Sequence, residues 1–301
     1  MRLDILLRER YPQFSRAYWQ RSILGGKVKV NGKSVGSSHV LVQEDALIEV
    51  EPEKNTRILT GQTSVGTSLS PFEILYEDEE VLVVNKPAGI VVHPPAKSVT
   101  LLELLSEQQP FVKLVHRLDR DTSGILVLAK SQQVHAQLSA QWKERRVKKT
   151  YTVLVKGSFE QKSGRIEAPI HRSFKDRKKM AVSDRHGSRD AVTEFEVVKS
   201  FEDVSLVKAF PLTGRTHQIR VHFASIGHPV IGDETYGDVT LNAHFQEKHG
   251  LARQFLHASK LVFAHPTTKK RITMVTELPA DLSSVLKSLR LQPRKTVGGG
   301  L

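Results

Sequence analysis

Short apolar runs separated by polar turns dominate the sequence after Pro71 and predict strands. The run Ile125–Ala129 is short, partly β-branched and bounded by polar residues, which is typical of a buried strand. Five more runs predict strands: Phe72–Tyr76, Val81–Val84, Thr152–Val155, Ala191–Val198 and Val204–Phe210. The acidic segment Glu77–Glu80 separates the first two, so we expect these two strands to form a hairpin.

A helical pattern follows the strand at Ile125–Ala129. Ser131 is a suitable N-cap for a helix that extends to about Arg145. Three apolar residues recur on one stripe of that helix, which indicates a face packed on a core: Val134, Leu138 and Trp142. A shorter helix fits between Thr100 and Glu107.

The first 51 residues predict a separate small module. Ser15 is a suitable N-cap for its helix, and Asn31-Gly32 favours a tight hairpin turn. Its predicted elements are a helix from Ser15 to about Leu24 ended by Gly25-Gly26, a hairpin of strands Lys27–Val30 and Lys33–Val35, and a last strand Ala46–Val50.

Residues 52–70 are polar and rich in Ser, Thr and Gly, which is typical of a flexible linker. The predicted organisation is therefore a module at 1–51, a linker at 52–70, a large domain at 71–291 and a disordered tail at 292–301. We expect the two domains to move relative to each other.

The charge balance points to a polyanionic partner. Lysines and arginines outnumber acids by 45 to 32 in 301 residues, which gives a net charge of +13. The excess is clustered, because residues 145–190 hold 14 basic and 5 acidic residues. A solvated basic face is the plain interpretation, but clustering on this scale favours a nucleic-acid surface.

Other classes of chemistry lack their sequence signals. The chain has no cysteine, which excludes disulfides and thiolate chemistry, and it contains no HExxH, GxxxxGK or GxGxxG motif. We therefore expect no metal and no cofactor. No stretch could span a bilayer and the N-terminus lacks a signal-peptide core, so we expect a cytoplasmic protein without a membrane partner, and a monomer.

The segment from His116 to Gly124 concentrates candidate chemistry at the entrance of the strand Ile125–Ala129. Its Asp119 lies between Arg117 and Arg120, which would favour the charged, nucleophilic carboxylate. An ion-paired turn without catalysis is the plain alternative on charge alone.

The sequence of this segment, His-Arg-Leu-Asp-x-x-Thr-Ser-Gly, resembles the signature of the RluA-type pseudouridine synthases, which rearrange uridines in ribosomal or transfer RNA. Four further segments resemble motifs of that family in the same order: Lys86-Pro87-Ala88-Gly89 with Val92-His93-Pro94, Lys149-Thr150-Tyr151, Gly214–Arg220, and Gly227–Asp233. The first 51 residues are similar to the alpha-L RNA-binding motif.

The resemblance implies an α+β fold, with a catalytic domain of mixed, largely antiparallel sheet, flanking helices and a central cleft. It implies that Asp119 is the catalytic aspartate, Tyr151 the platform beneath the target base and a proton acceptor, and Arg215 the partner of Asp119. Further implied RNA contacts are His116 and Arg117 in the large domain, with Arg117 replacing the extruded base, and Arg16, Arg21, Lys27 and Lys29 in the small α/β module.

The resemblance thus predicts an isomerase that converts uridine to pseudouridine in structured RNA rather than DNA, with large-subunit ribosomal RNA expected over transfer RNA. Whether Asp119 attacks C1′ or removes a ribose proton stays open. Two other functions also stay open. One is a non-catalytic RNA-binding protein, and the other is a nucleosidase with Asp121 as its second carboxylate.

Overall fold

The computed structural model describes residues 1–10, 19, 23, 26, 28–37, 40–43, 46–50, 72–92, 100–106, 111–174, 176 and 179–291. The chain divides into an N-terminal unit, Met1–Ser70 with Pro95–Pro110, and a larger unit, Pro71–Pro94 with Phe111–Leu301. The predicted linker at 52–70, the predicted tail at 292–301 and most of the helix predicted from Ser15 lie outside the described residues.

The N-terminal unit contains the predicted hairpin. Strands β1 (Val28–Val30) and β2 (Lys33–Ser34) pair antiparallel, and β3 (Ile48–Val50) pairs with the other edge of β1. The turn is Asn31-Gly32, where both residues have positive φ, as a two-residue hairpin requires. A helix that the sequence did not predict, α1 (Leu3–Arg10), packs Leu3 and Leu7 against Val28, together with Trp19 and Ile23.

The short helix predicted near Thr100 also belongs to this unit, as α2 (Leu101–Ser106). Its start is a capping box. The backbone N–H of Glu103 donates to Thr100 Oγ1 at 3.3 Å, and the N–H of Thr100 donates to the Glu103 carboxylate at 2.8 Å.

The larger unit is built on a ten-stranded sheet, counted over the described residues. The expected α+β class with a largely antiparallel sheet is confirmed, since β7 with β14 is the parallel pair among the described pairings. Its strands are β4 (Glu73–Glu77), β5 (Val81–Lys86), β6 (Lys113–Leu114), β7 (Ser123–Ala129), β8 (Lys148–Lys156), β9 (Ser163–Glu167), β12 (Val192–Ser200), β13 (Val204–Pro211), β14 (Leu256–Ala264) and β15 (Arg271–Val275). A separate hairpin pairs β10 (Ile170–Arg172) with β11 (Met180–Val182).

The strand order β4-β5-β7-β14-β8-β13-β12-β9 places β7, β14, β8 and β13 side by side in the middle of the sheet. Every residue of β7 is buried, as its continuous apolar run predicted. The segment His116–Gly124 leads into β7 and the segment Gly214–Arg220 follows β13. Both therefore adjoin the middle of the sheet, only a few strands apart.

Helices cover both faces of this sheet. Helix α3 (Gln132–Lys143) begins at the predicted N-cap, because Ser131 Oγ accepts from the Val134 N–H, and it packs Val134 and Leu138 on β5 and β7. Helix α4 (Gln218–Ser225) packs on the face of β8 that presents Val153. Helices α5 (Val239–His249) and α6 (Ala280–Leu291) pack on the Leu154 side of the same strand. No described helix is long and apolar enough to cross a membrane.

Candidate active site

Asp119 lies in the loop that leads into β7, and the sheet fixes where this loop ends. Gly124 has φ +118, and a Cβ there would approach the carbonyl oxygen of Ala258 to 2.3 Å. Only glycine fits where β7 and β14 come this close. The start of β7, and hence the loop before it, is set by backbone packing.

Buried polar side chains hold the same loop from the neighbouring elements. The Lys86 ammonium, fully buried, donates to the carbonyls of Pro87, Ile90 and Arg120 at 2.8–3.0 Å. Burial lowers the pKa of Lys86 to about 7. From the segment before β14, Arg253 donates to the carbonyl of Asp121 at 3.0 Å.

Two further bonds tie the loop to the same side of β14. Gln254 Nε2 donates to Thr122 Oγ1 at 2.8 Å, and Ser123 Oγ lies 2.9 Å from His257 Nδ1. The Asp119 loop is therefore rigid on both flanks, which is what a catalytic group needs in order to be aimed.

The cation that holds Asp119 is Arg220, which bridges two carboxylates. Its Nε and Nη2 donate to the two oxygens of the buried Asp233 at 2.7 and 2.8 Å, and its Nη1 donates to Asp119 Oδ2 at 3.0 Å. Burial opposes the charge of Arg220, but the bonds and charges of the two carboxylates outweigh it and raise its pKa. Asp233 thus orients the guanidinium, and the guanidinium orients Asp119.

This geometry corrects the prediction that Arg215 pairs with Asp119. Arg215 precedes α4 and donates through Nε to the Asp190 carbonyl, whereas Arg220 lies in the first turn of the helix and faces inward. Neither of the flanking arginines, which we expected to favour the charged carboxylate, forms an ion pair with Asp119 among the described residues. Arg120 binds Asp121 at 2.9 Å, and Arg117 is exposed without an ion pair among the described residues.

Most other polar residues of the segment 213–222 support its own fold. Gln218 Oε1 accepts from Thr213 Oγ1 at 2.7 Å and from the Arg215 N–H at 2.9 Å, while its Nε2 donates to the Val192 carbonyl at 2.9 Å. His222 lies between Thr193 Oγ1 and the Ala168 carbonyl. These buried contacts fix the turn that points Arg220 at Asp119.

His217 is a neighbour of Asp119 that the sequence did not assign. It has φ +55 at the start of α4, and its Nε2 lies 3.9 Å from Asp119 Oδ1. Its Nδ1 lies 2.8 Å from the Tyr236 hydroxyl, which accepts from the Met180 N–H. Because that hydroxyl can then donate to Nδ1, the arrangement favours the tautomer with its proton on Nε2, facing Asp119. Burial lowers the pKa of His217, which keeps the ring neutral.

A cavity of about 240 Å³ opens beside Asp119, with β8 on one side and the segment 211–220 on the other. Tyr151 and Lys149 line it from the same strand. Its other walls are mostly apolar: Val115, Leu118, Trp142, Pro211, Ile219 and Leu256. Burial, and then the charge of Asp119, raise the pKa of Tyr151, so its hydroxyl stays protonated at neutral pH. The cavity suits a flat, largely apolar ring placed next to a carboxylate.

His116 lines this cavity, but its ring makes contacts within the protein that stabilise the fold. Its Nε2 accepts from the Val127 N–H at 3.0 Å, and the ring stacks on Trp142 at 4.9 Å. Burial, and then the charge of Lys149, lower the pKa of His116 to about 3, so the ring is neutral.

A second cavity of about 350 Å³ shares Arg117, Asp119, His217 and Arg220 with the first and continues past Arg253. Asp119 therefore lies where two cavities meet, with the exposed Arg117 beside it. Among the described residues, no group of three His, Cys, Asp or Glu side chains could hold a metal ion.

The RNA-contact residues expected in the small module are mostly not described. Lys29 is half-buried on β1, whereas Arg16, Arg21 and Lys27 lie outside the described residues.

Comparison with known proteins identifies the family of this chain. A family model described as RNA pseudouridylate synthase matches residues 80–225, and one described as S4 domain matches residues 1–48. A ribosomal large subunit pseudouridine synthase C of Vibrio vulnificus is 35% identical, covering 96% of this chain and 93% of its own length.

Two further proteins extend the similarity. A ribosomal large subunit pseudouridine synthase D of Zymomonas mobilis is 41% identical over 74% of each chain. The solved structure of human RNA Pseudouridylate Synthase Domain Containing 4 superposes with a TM-score of 0.60 at 28% identity, covering 73% of this chain and 94% of that one.

Proposed function

Because this chain belongs to the RluA-type family of RNA pseudouridine synthases, isomerases that convert uridine to pseudouridine, we propose that it modifies specific uridines of large-subunit ribosomal RNA through Asp119. The names of the relatives supply the substrate, and the ion-pair chain Asp233–Arg220–Asp119 at the cavity supplies the catalytic group. This row of two ion pairs, Asp233–Arg220 and Arg220–Asp119, is the observation on which the proposal depends.

The reaction breaks the bond between ribose C1′ and uracil N1 and joins C1′ to C5. A charged carboxylate serves the first step, either by adding to C1′ or by removing a ribose proton. Arg220 pairs with the Asp119 carboxylate and fixes its direction, while the apolar cavity wall excludes water from the broken bond. Both routes need the same placement of Asp119.

Tyr151 is suited to the platform role. Its ring lines the cavity on a buried strand, where a flipped uracil can stack on it. The raised pKa of its hydroxyl disfavours the phenolate that a proton acceptor would need, so we propose stacking rather than proton transfer for this residue. The exposure of Arg117 beside Asp119 supports the proposal that it fills the space left by the extruded base.

The surface of the larger unit also supports an RNA partner. Phe174, 68% exposed next to strand β10, stacks on His171 at 4.9 Å and lies under the guanidinium of Arg185 at 5.3 Å. An exposed aromatic ring stacked on a histidine and covered by a guanidinium suits nucleobases and phosphates. The S4 domain match at residues 1–48 supports a second RNA-contacting unit.

The test is chemical mapping of pseudouridine in unmodified large-subunit ribosomal RNA after incubation with the pure protein. We expect new pseudouridines at a few positions with the wild type and none with Asp119→Asn. Asp121→Asn is the matched control, because this carboxylate lies two residues away and pairs with Arg120. It should retain activity.

Four results would contradict the proposal. Turnover by Asp119→Asn would remove the catalytic role, and modification of transfer RNA alone would reassign the substrate. Release of free uracil that depends on Asp121 would indicate a nucleosidase, and RNA binding without any modification would indicate a non-catalytic protein.

A further inference from the structure

Lys149 is a cation in the wall of the first cavity that has no carboxylate partner among the described residues. It lies two residues from Tyr151 on β8, so both side chains leave the strand on the same face, roughly 7 Å apart by strand rise. Its Nζ donates to the Thr213 carbonyl at 3.0 Å and forms no ion pair with a carboxylate of the described residues. Keeping a half-buried ammonium without an acid partner is costly, and this suggests that an anion binds to it.

The reaction produces such an anion. When the C1′–N1 bond breaks, its electron pair stays on N1, and uracil becomes an anion whose charge spreads over O2 and O4. C5 of this anion then attacks C1′, which regenerates the aspartate or its equivalent. The neutral product of that step still holds its C5 proton, which passes to solvent water, and solvent water supplies the proton that N1 gains. Two steps therefore pass through a charged ring inside the cavity.

We propose that Lys149 is a catalytic residue whose ammonium binds the uracil anion through a carbonyl oxygen and so stabilises the leaving group. The inference rests on the proposed function and deepens it. Lys149 stays protonated throughout, so it stabilises charge without transferring a proton.

The other polar groups of this wall are engaged or neutral. Arg220 has its three bonds to Asp233 and Asp119, and Arg215 is bonded to the Asp190 carbonyl. His116 accepts a backbone N–H, and burial keeps His116 and His217 neutral. Arg117 is exposed at the junction of the two cavities. Lys149 lies beside Tyr151 on β8 and uses one of its three donor protons on the Thr213 carbonyl, so two remain for an anion in the cavity.

The protonation of Lys149 fits this role. Burial, and then the charge of Arg145, lower the pKa of Lys149 to about 8, so the ammonium form prevails at neutral pH and is lost as pH rises through 8. The charged and titratable groups that line this cavity with it are His116, Arg117, Asp119, Tyr151, Arg215, His217 and Arg220, and Arg145 acts on its charge from the end of α3.

The experiment compares full-length wild type, Lys149→Met and Lys149→Arg on unmodified ribosomal and transfer RNA transcripts, made with either uridine or 5-fluorouridine. Single-turnover rates are followed by nucleoside analysis of nuclease digests. Fluorine at C5 makes uracil a better leaving group and removes the C5 proton. The loss of 5-fluorouridine therefore reports cleavage and rejoining without the last proton transfer.

We expect Lys149→Met to slow uridine conversion by about 100-fold, the usual effect of removing one donor from a developing anion. The defect on 5-fluorouridine RNA should be at least tenfold smaller, with RNA affinity unchanged. The wild-type rate should fall above pH 8, and Lys149→Arg should retain much of the rate and move that fall to higher pH. Lys260→Met, which removes an exposed lysine from the adjacent β14, is the control and should behave as wild type.

An equal defect on both RNAs, or a normal rate for Lys149→Met, would overturn the role of Lys149. A lower melting temperature with equally slowed reactions of both RNAs would mark Lys149 as structural. If the wild type modified no transcript, the proposed function itself would fail, and the role of Lys149 with it.

Discussion

Exchanging arginine for lysine at Arg220 and at Arg215 tests which of these two arginines positions Asp119. The structure gives Arg220 two bonds to Asp233 and one to Asp119, three directions that a single ammonium cannot serve. Arg215 makes one bond, to a backbone carbonyl, which lysine can replace. We therefore expect opposite outcomes from two chemically identical substitutions.

The size of the effect expected for Arg220→Lys follows from how deeply the two carboxylates are buried. The Asp233 side chain is 0% exposed and the Asp119 side chain 19% exposed. If the new lysine moves to Asp119, it leaves Asp233 charged and unpaired, which costs about 3–5 kcal/mol of stability. If it stays on Asp233, Asp119 loses its partner and its direction, and a misplacement of about 1 Å costs roughly a hundredfold in rate.

We expect Arg220→Lys to lower the single-turnover rate about a hundredfold, whereas Arg215→Lys should change it little. Thermal unfolding of both variants shows whether they are folded. Rates measured well below their melting temperatures then report the misorientation of Asp119 alone. Asp233→Asn adds a further test, since this residue reaches the substrate only through Arg220 and should also slow the reaction. The reasoning is refuted if Arg215→Lys is the slower variant, or if a folded Arg220→Lys reacts at the normal rate.

Three further outcomes are expected. Deleting residues 1–60 should weaken RNA binding and flatten its salt dependence, measured by filter binding at several salt concentrations, and an unchanged slope would assign the module another role. Lys86 has a pKa of about 7 when folded against an ordinary 10.5, so the unfolded chain binds more protons between these values. In urea unfolding, the free energy of unfolding of the wild type should rise above pH 7 by up to about 1.4 kcal/mol per pH unit relative to that of Lys86→Met. Parallel plots of this free energy against pH for the two proteins would contradict the prediction. Gly124→Ala should destabilise by about 3 kcal/mol, because its Cβ would collide with Ala258, and a normal melting temperature would argue against that contact.

The elements that the sequence predicted correctly are those with local causes. The hairpin at Asn31-Gly32 follows from turn chemistry, the start of α3 from the cap at Ser131, and β7 from an apolar run. Helix α4 was missed because it has little amphipathic pattern, and six of its eight residues are buried. A helix enclosed on most sides carries no periodic signal.

The error at Arg215 has a similar cause. Arg215 and Arg220 lie in one segment and are the same residue type, so composition and spacing cannot rank them. What separates them is the left-handed backbone of His217, which starts the helix and turns Arg220 inward. Residues other than glycine seldom adopt this conformation, and the bonds of Gln218 that hold the turn reach Val192 and Thr213. The helix phase thus depends on tertiary contacts that no local pattern encodes.

The buried Asp233 explains why two distant segments form one site. Its carboxylate accepts the N–H groups of Thr235 and Tyr236 in addition to Arg220, so its charge is fully used before any substrate arrives. Arg220 therefore has one guanidinium nitrogen to offer, and the loop before β7 is the element that can supply the matching oxygen. Because Lys86 and Arg253 hold that loop by backbone bonds, it cannot shift to meet another cation. Because Asp233, Arg220 and the loop are all held in place, the Asp119 side chain has one direction, toward the cavity that Tyr151 and Lys149 line.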